Sequence, residues 1–166
     1  MLILGLDPGS RHTGFGVIRQ TWSTLEAVDF GRLSVSAKER LSTRLGSITT
    51  DLEELLRTLD PAAVAIESTF LGMNPKSLVV LSQARGALLA VVGRRQIDVF
   101  EYSPSAVKSA VTGSGRADKK QVAQMVRVLL KLPNEQLPDD ATDALAIAIC
   151  CAHRRTLDGL TEASRA

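Results

Sequence analysis

Residues 2–18, with the sequence LILGLDPGSRHTGFGVI, contain the pattern from which the fold is predicted. The apolar run Leu2–Leu6 ends at Asp7-Pro8-Gly9, which indicates a buried strand that meets a turn. Thr13–Arg19 predicts a second strand and Leu25–Val35 a third. The chain is therefore expected to open with three strands in an antiparallel meander.

Two glycines, Gly14 and Gly16, lie inside the second predicted strand, where they indicate that another part of the backbone approaches closely. Further along, Arg40–Leu59 has leucine and isoleucine at steps of three and four residues, which predicts an amphipathic helix. Ala62–Ile66 is apolar throughout, as is typical of a central strand that is covered on both faces. Strands and helices are thus expected to alternate after the meander.

The remaining predicted elements complete an α/β domain. They are a helix from Asn74-Pro75 to about Arg95, a strand at Ile97–Glu101, a short helix from Ser103-Pro104 to Gly113, a helix capped by Asp118, and a helix capped by Asp139 that ends near Arg155. The order β-β-β-α-β-α-β-α-α-α predicts a mixed five-stranded sheet flanked by helices, which suits the ribonuclease H-like fold of the retroviral integrase superfamily. We assign residues 1–155 to this domain, and residues 156–166 to a polar tail that is a candidate for disorder.

The composition fits one domain with a substantial core, since the chain has 166 residues and is 45% hydrophobic. The formal net charge of +2 does not by itself indicate nucleic-acid binding. However, residues 108–131 contain one acid, Asp118, and six basic residues, Lys108, Arg116, Lys119, Lys120, Arg127 and Lys131. This basic segment is either a solvated surface or a contact with nucleic acid.

The sequence also bears on the compartment. Cys150 and Cys151 are adjacent, so they suit neither a disulfide framework nor a zinc site, and a reducing, cytoplasmic setting is expected. The N-terminus has no basic region followed by a long apolar run, so no signal peptide is predicted. No stretch approaches the ~20 apolar residues of a membrane span, so we expect no contact with a membrane.

An acidic residue comes directly after each of two predicted central strands. Asp7 follows the first strand and Glu67 follows Ala62–Ile66. Two acids at neighbouring strand ends repel each other and lose hydration, a cost that a divalent cation between them removes. Each acid taken singly is more simply explained as a strand-end residue that points into water.

The last predicted helix adds further acids. Asp140 and Asp143 are one turn apart and share a helix face, whereas Asp139 is explained as the N-cap. Asp143 borders the apolar run ALAIAICCA and has no nearby basic residue in sequence, so it requires a partner. Four oxygen-donor acids without histidine or cysteine favour Mg²⁺ or Mn²⁺ over zinc, and two such ions suit phosphodiester hydrolysis.

Five blocks of the sequence resemble the bacterial RuvC family of Holliday-junction resolvases. They are LGLDPGSRHTGFGVI, AIESTF, QARGALLA, VFEYSPSAVKSAVTGSGRADKKQVAQMV and DDATDALAIAI, in that order, and they extend from about Leu2 to Ala152. The resemblance implies a homodimeric, metal-dependent endonuclease that makes paired symmetric nicks at four-way DNA junctions and leaves 5′-phosphate and 3′-hydroxyl ends. It also implies two Mg²⁺ ions per site, for which Mn²⁺ can substitute, a dimer contact through the helix after Asn74, and the branch-migration proteins RuvA and RuvB as partners.

The resemblance also assigns residues to roles. Asp7, Glu67, Asp140 and Asp143 match the catalytic, metal-binding carboxylates; some members have histidine at the position of Asp140. Lys108 and Lys119 match lysines beside the DNA backbone, and Lys119 is included with the catalytic residues. Phe70 matches an aromatic residue beside the junction that could stack on an unpaired base. Further expected DNA contacts are Arg116, Lys120 and Arg11, and Arg85 is a weaker one that is also explained as structural.

Three other functions fit parts of the sequence. The Asp7-Pro8-Gly9 turn also resembles the first phosphate loop of actin-like kinases, but those need two such domains and this chain has the length of one. YqgF-type resolvase-like proteins that act on RNA share the opening Asp-Gly motif, although AIESTF and DDATDALA fit RuvC better. A binder of junctions without catalysis is disfavoured by the four intact acids.

Overall fold

The computed structural model describes residues 1–22, 24–68, 74–133 and 137–163, with side chains up to residue 157. The elements are β1 (Leu2–Asp7), β2 (His12–Thr21), β3 (Thr24–Ser34), α1 (Leu41–Leu59), β4 (Ala63–Glu67), α2 (Pro75–Arg94), β5 (Asp98–Tyr102), α3 (Pro104–Thr112), α4 (Lys119–Leu130) and α5 (Asp139–Ala163). This order confirms the one predicted from the sequence.

The five strands form one mixed sheet in the order β3-β2-β1-β4-β5. The β1–β2 and β2–β3 pairs are antiparallel, whereas β1–β4 and β4–β5 are parallel. Leu6 of β1 lies opposite Ile66 of β4, so the next residues along the two strands, Asp7 and Glu67, end neighbouring parallel strands at the same edge of the sheet.

Helices cover the two faces of the sheet in two groups. Leu4 and Leu6 belong to a core that includes residues of α1 and α2, whereas Ile3 belongs to a second core with α3, α4 and α5. Since successive side chains of a strand point to opposite faces, Asp7 shares the face of Ile3. Glu67 shares the face of Ala65, which packs in the same α5-containing core. Both acids therefore point to the side of the sheet on which α5 lies.

Glycines in β1 and β2 bring the backbone of α5 directly onto the sheet. A Cβ atom added at Gly5, Gly14 or Gly16 would clash with the backbone of Ala144, Asp140 or Leu145, respectively. The close approach expected at Gly14 and Gly16 is confirmed, and the approaching backbone is that of α5. Because Gly14 lies opposite Asp7 in the β1–β2 pair, this contact brings the first turn of α5 beside Asp7.

Helix α5 differs from the prediction at both ends. Asp139 is its first residue instead of its N-cap, since the Thr142 amide donates to the carbonyl of Pro138. The helix continues to Ala163, eight residues beyond the predicted end near Arg155, so much of the predicted tail is helical. The hydroxyl of Thr156 donates to the carbonyl of Ala152, which is an additional i to i−4 bond within the continuing helix.

Helix α2 corrects another expectation. Among the described residues it is the helix that is long and apolar enough to cross a membrane by length and composition alone, whereas no such stretch was expected. Arg85 near its middle is paired with Glu101 of the sheet, and Ala84, Leu88, Val91 and Val92 are buried. One side of α2 therefore packs on the domain, and its remaining apolar surface is accessible.

Candidate active site

A cavity of about 240 Å³ opens at the sheet edge where β1 and β4 end. Its acidic residues are Asp7, Glu67 and Asp143, which come from β1, β4 and α5. Lys108 of α3 and Lys119 of α4 also line it, together with apolar residues of α3, α4 and α5. Three acids that are far apart in sequence are thus brought together, as the sequence analysis expected.

Asp140 lies beside this cavity without lining it. It is ion-paired with Arg32 of β3, with 3.6 Å between Nη1 and Oδ2. Its charge nevertheless contributes to raising the pKa values of Asp7 and Asp143. Within the described ranges, no three acidic, histidine or cysteine side chains are gathered closely enough to hold a metal ion as they stand. The carboxylates therefore surround a common space, and side-chain rotation is needed before they share one ion.

Burial of the acids, together with their mutual repulsion, dominates the electrostatics of the cavity. Burial, together with Asp143, Glu67 and Asp140, raises the pKa of Asp7 to about 7. Burial and Asp143 also raise the pKa of Glu67, in spite of Lys108. Burial raises the pKa of Asp143, although Lys119 opposes the change. A cation bound among these oxygens would offset both the desolvation and the mutual repulsion, so the donor set fits a hard divalent ion.

Lys119 connects the cavity to the first turn of α5. Its Nζ lies 3.1 Å from Oδ2 of Asp143 and 3.2 Å from Oδ2 of Asp139. Although burial opposes the change, these two contacts raise the pKa of Lys119, so the ammonium stays charged. Asp139 thus has a partner outside α5, and Asp143 has the cationic partner that its sequence neighbours did not supply.

The other expected DNA contacts lie around the cavity. Lys108 is half-buried in its wall, and Arg116 and Lys120 are exposed on the loop before α4 and on its first turn. Arg11 is exposed in the turn between β1 and β2. Phe70, the expected stacking residue, lies outside the described residues.

One arginine beside the site was not predicted from the sequence, and a second had two possible roles there. Arg32 pairs with Asp140 although 108 positions separate them, and no local pattern in β3 indicates this contact. Arg85, for which the sequence left a DNA contact and a structural role open, is mostly covered: its Nε donates to the backbone carbonyl of Glu67 at 3.3 Å, and its Nη2 lies 2.5 Å from Oε2 of Glu101. Arg85 therefore connects the ends of β4 and β5, which agrees with the structural role that the sequence left open for it.

Comparison with known proteins places this geometry in a family. Residues 3–151 match the sequence model of RuvC, described as crossover junction endodeoxyribonuclease RuvC. The crossover junction endodeoxyribonuclease RuvC of Heliobacterium modesticaldum is 46% identical over 156 residues, which cover 94% of this chain and 96% of the relative. The protein of that name from Geobacter sp. strain M21 is 43% identical and covers 99% of this chain and 100% of its own length.

Solved structures agree with the sequence comparisons. The Thermus thermophilus RuvC structure matches with a TM-score of 0.86 at 32% identity, over 95% of this chain and 97% of that one. T. thermophilus RuvC in complex with Holliday junction substrate gives a TM-score of 0.89 at 32% identity, over 95% and 96% of the two chains. The yeast mitochondrial Holliday junction resolvase Ydc2, at 14% identity and a TM-score of 0.66, shares the fold.

Proposed function

The chain belongs to the RuvC family of crossover junction endodeoxyribonucleases, and we propose that its acidic cavity is where it hydrolyses a phosphodiester bond of a four-way DNA junction. The observation that carries this proposal is the convergence of Asp7, Glu67 and Asp143 on one cavity whose wall also contains Lys108 and Lys119. The same cavity is lined by acids that suit a divalent ion and by lysines that suit a phosphate. A phosphodiester bond is a substrate that needs both.

Nucleases of this family are metal-dependent. We infer that two Mg²⁺ ions, for which Mn²⁺ can substitute, are held by Asp7, Glu67, Asp140 and Asp143. The support is a donor set made of carboxylate oxygens, together with the raised pKa values of Asp7, Glu67 and Asp143, which result from burial and from the neighbouring acids. When bound, such ions supply a water of lowered pKa and neutralise charge on the leaving 3′ oxygen.

The protein's own residues prepare this site in two ways. Arg32 and Lys119 neutralise Asp140 and Asp143 in the free protein, which limits repulsion within the cavity. When DNA enters, Lys119 can exchange Asp143 for a phosphate oxygen, because the lysine lies on the cavity wall and is 59% exposed. Lys108, on the same wall, is placed to bind the same phosphate or its neighbour. The lysines thus orient the scissile group while the acids are released toward the metal site.

Further DNA contacts are proposed around the cavity. Arg116 and Lys120 extend the positive surface along the start of α4, and Arg11, in the turn that follows Asp7, is a further exposed cation. Such side chains bind backbone phosphates. These contacts hold a duplex in place without reading its sequence. Phe70 remains a proposed stacking residue on the strength of the family resemblance.

Helix α2 supports the proposed homodimer. Its accessible surface includes a row at helical spacing formed by Val79, Ser82, Gly86, Ala90 and Gly93, and Val79 is 57% exposed. A Cβ at Gly86 or Gly93 would meet nothing, so a second helix has room to approach closely. A two-fold dimer through α2 would place two acidic cavities for paired nicks in a symmetric junction.

Sedimentation equilibrium of the wild-type protein tests this dimer, and a monomer at all concentrations would contradict it.

The cellular setting follows from the substrate. We propose that the protein acts in the cytoplasm with RuvA and RuvB, as the family resemblance implies. Cys150 and Cys151 are buried and free, in agreement with a reducing compartment. The alternative of a YqgF-type nuclease acting on RNA is not favoured, because the family match covers residues 3–151.

The experiment that tests this function is cleavage of a synthetic four-way junction in which each strand is labelled in turn. With Mg²⁺ we expect nicks at symmetric positions in two strands of like polarity, with ends that a ligase can seal; with EDTA we expect binding without nicking. Linear duplex and structured RNA serve as control substrates. Preferential cleavage of the RNA, or cleavage in EDTA, would overturn the proposal.

A further inference from the structure

A second cavity, of about 450 Å³, lies on the other face of the sheet from the acidic one. Three cations line it: Arg11 of the β1–β2 turn, Arg44 of α1 and Lys76 of α2. The hydroxyl residues Ser10 and Ser77 complete its polar wall, and apolar residues of α2 form the rest. We call this cavity the basic pocket. Ser10 is three residues from Asp7, so the two cavities share one edge of the sheet.

The positive charge of the basic pocket is not balanced within the protein. Among the residues that the structure describes, no carboxylate forms an ion pair with Arg11, Arg44 or Lys76. Arg44 is held in place because its Nη1 donates to the backbone carbonyl of Ser10 at 3.0 Å, while its buried Nε has no hydrogen-bond partner in the described part of the chain. The positive charge of these three side chains and the unpartnered buried Nε of Arg44 therefore favour an anion in the basic pocket.

Two helices add to this positive potential. Strand β4 runs parallel to β1; α1 leads into β4, and α2 follows it. Both helices therefore begin at the edge of the sheet where Asp7 lies. Arg44 is in the first turn of α1, and Lys76 is in the first turn of α2, behind the N-cap Asn74. The positive ends of both helix dipoles therefore point toward the basic pocket, which favours a group with several acceptor oxygens.

We propose that the basic pocket binds a backbone phosphate of the DNA arm that leaves the cleavage site on the α1–α2 side. This inference rests on the proposed function. The lysines of α3 and α4 lie on the other side of the acidic cavity, so a junction centred on that cavity meets cations on both faces of the sheet. A linear duplex lying along α3 and α4 would not reach the pocket, whereas a second arm of a four-way junction would.

The test compares DNA binding of wild type, Arg11→Gln, Lys76→Gln and the double variant, by fluorescence anisotropy in EDTA over a salt series. Arg44 is left unchanged, because its bond to Ser10 also supports the turn. For the double variant we expect at least about fivefold weaker binding to the junction and a log–log salt slope that is smaller by about 1 for each phosphate that the variant no longer binds. Binding to linear duplex should change less. Arg19→Gln is the control, since Arg19 is exposed, lies opposite Leu2 at the other end of β1 and β2, and forms a surface ion pair with Glu26.

Each result decides the matter. Junction affinity and salt slope equal to those of Arg19→Gln, while wild type still binds and cuts the junction, would overturn the basic pocket and leave the proposed function intact. Loss of the dimer by the double variant in sedimentation equilibrium would assign the pocket to subunit contact instead. Competition by inorganic phosphate at constant ionic strength, seen with wild type and absent from the double variant, would assign it to a free anion. Failure of wild type to bind the junction would refute the function itself.

Discussion

The acidic cavity and the basic pocket lie at the same edge of the sheet, on opposite faces, and are built in different ways. The acids have short side chains on the ends of β1 and β4 and in the first turn of α5, so the backbone determines where they point. The cations of the basic pocket have long side chains that come from a turn and two helix starts. We infer from this contrast that the acidic cavity confines its carboxylates to a small space, whereas the basic pocket supplies charge with less exact geometry.

The largest difference between the two regions is expected in catalysis. Asp7→Asn removes one charge at nearly constant volume, so we expect cleavage of the junction to fall by more than about 10³-fold, since a change in a partner of a metal ligand already costs about 10–100-fold. Binding in EDTA should persist. Asp51→Asn, at an exposed acid of α1, is the control. Nicking by Asp7→Asn in Mg²⁺ at a rate close to that of wild type would remove Asp7 from the site.

A second prediction separates orientation from affinity within the basic segment. Lys119 is paired with Asp143 in the cavity, whereas its neighbour Lys120 is exposed outside it. Lys119→Gln should lower the single-turnover cleavage rate at saturating protein by about 10–100-fold, because it removes a charged donor beside the reacting phosphate. Lys120→Gln should alter the dissociation constant and leave that rate within about twofold. Equal rates for the two variants would contradict the role given to Lys119.

A third prediction concerns stability in the absence of metal. Burial and the neighbouring acids raise the pKa of Asp7 from 3.8 to about 7, so ionising it is costlier in the folded than in the unfolded protein. Wild type should therefore lose stability as the pH rises between these values, and Asp7→Asn should lose less, because the raised pKa values of Glu67 and Asp143 leave part of this dependence in the variant. In urea denaturation with EDTA, we expect the variant to be more stable by about 2 kcal/mol at pH 8 and equal to wild type near pH 4.

Two controls make this stability prediction specific. Arg11→Gln in the basic pocket should show no such pH-dependent gain, because its charge is exposed. Mg²⁺ should stabilise wild type more than Asp7→Asn, since a ligand that binds the folded state raises the free energy of unfolding. A variant less stable than wild type at pH 8 would show that the carboxylate is compensated in the free protein.

The smallest expected effect concerns Arg85, which connects the two regions. It lies on α2, the helix that contributes Lys76 to the basic pocket, and it binds the backbone of Glu67 in the acidic cavity. Arg85→Lys keeps a charge but cannot reach Glu67 and Glu101 at the same time, so we expect Mn²⁺ affinity, measured by electron paramagnetic resonance, to weaken by about tenfold or less. Unchanged Mn²⁺ affinity with lowered thermal stability would leave Arg85 a purely structural role.

The order of the elements could be predicted because hydrophobic periodicity and turn residues are local signals. The same holds for the acids of the cavity: Asp7 and Glu67 stand out as charges at the ends of apolar strands, and Asp143 as a charge before an apolar helix. The end of α5 was misplaced because polar composition after Arg155 indicated a tail, whereas the helix continues to Ala163. Composition alone does not decide whether a polar segment continues a helix already formed.

The contacts that could not be predicted are those made by long side chains between distant segments. Nothing near Arg32 in sequence indicates its pairing with Asp140, and nothing near Arg44 indicates its bond to Ser10. Arg85 appeared as an isolated charge in an apolar helix, and its partner Glu101 became evident once the sheet order placed β5 beside β4. Such contacts depend on tertiary packing, which periodicity does not encode.

The proposed function depends on the carboxylates of β1, β4 and α5 holding divalent ions together. The most direct measurement is anomalous diffraction from crystals of the wild-type protein soaked in Mn²⁺. We predict an anomalous peak in the acidic cavity, coordinated by carboxylate oxygens of Asp7 together with Glu67 or Asp143. A well-diffracting soaked crystal without a peak there, or with Mn²⁺ bound only away from Asp7, would contradict a divalent-ion site formed by these carboxylates.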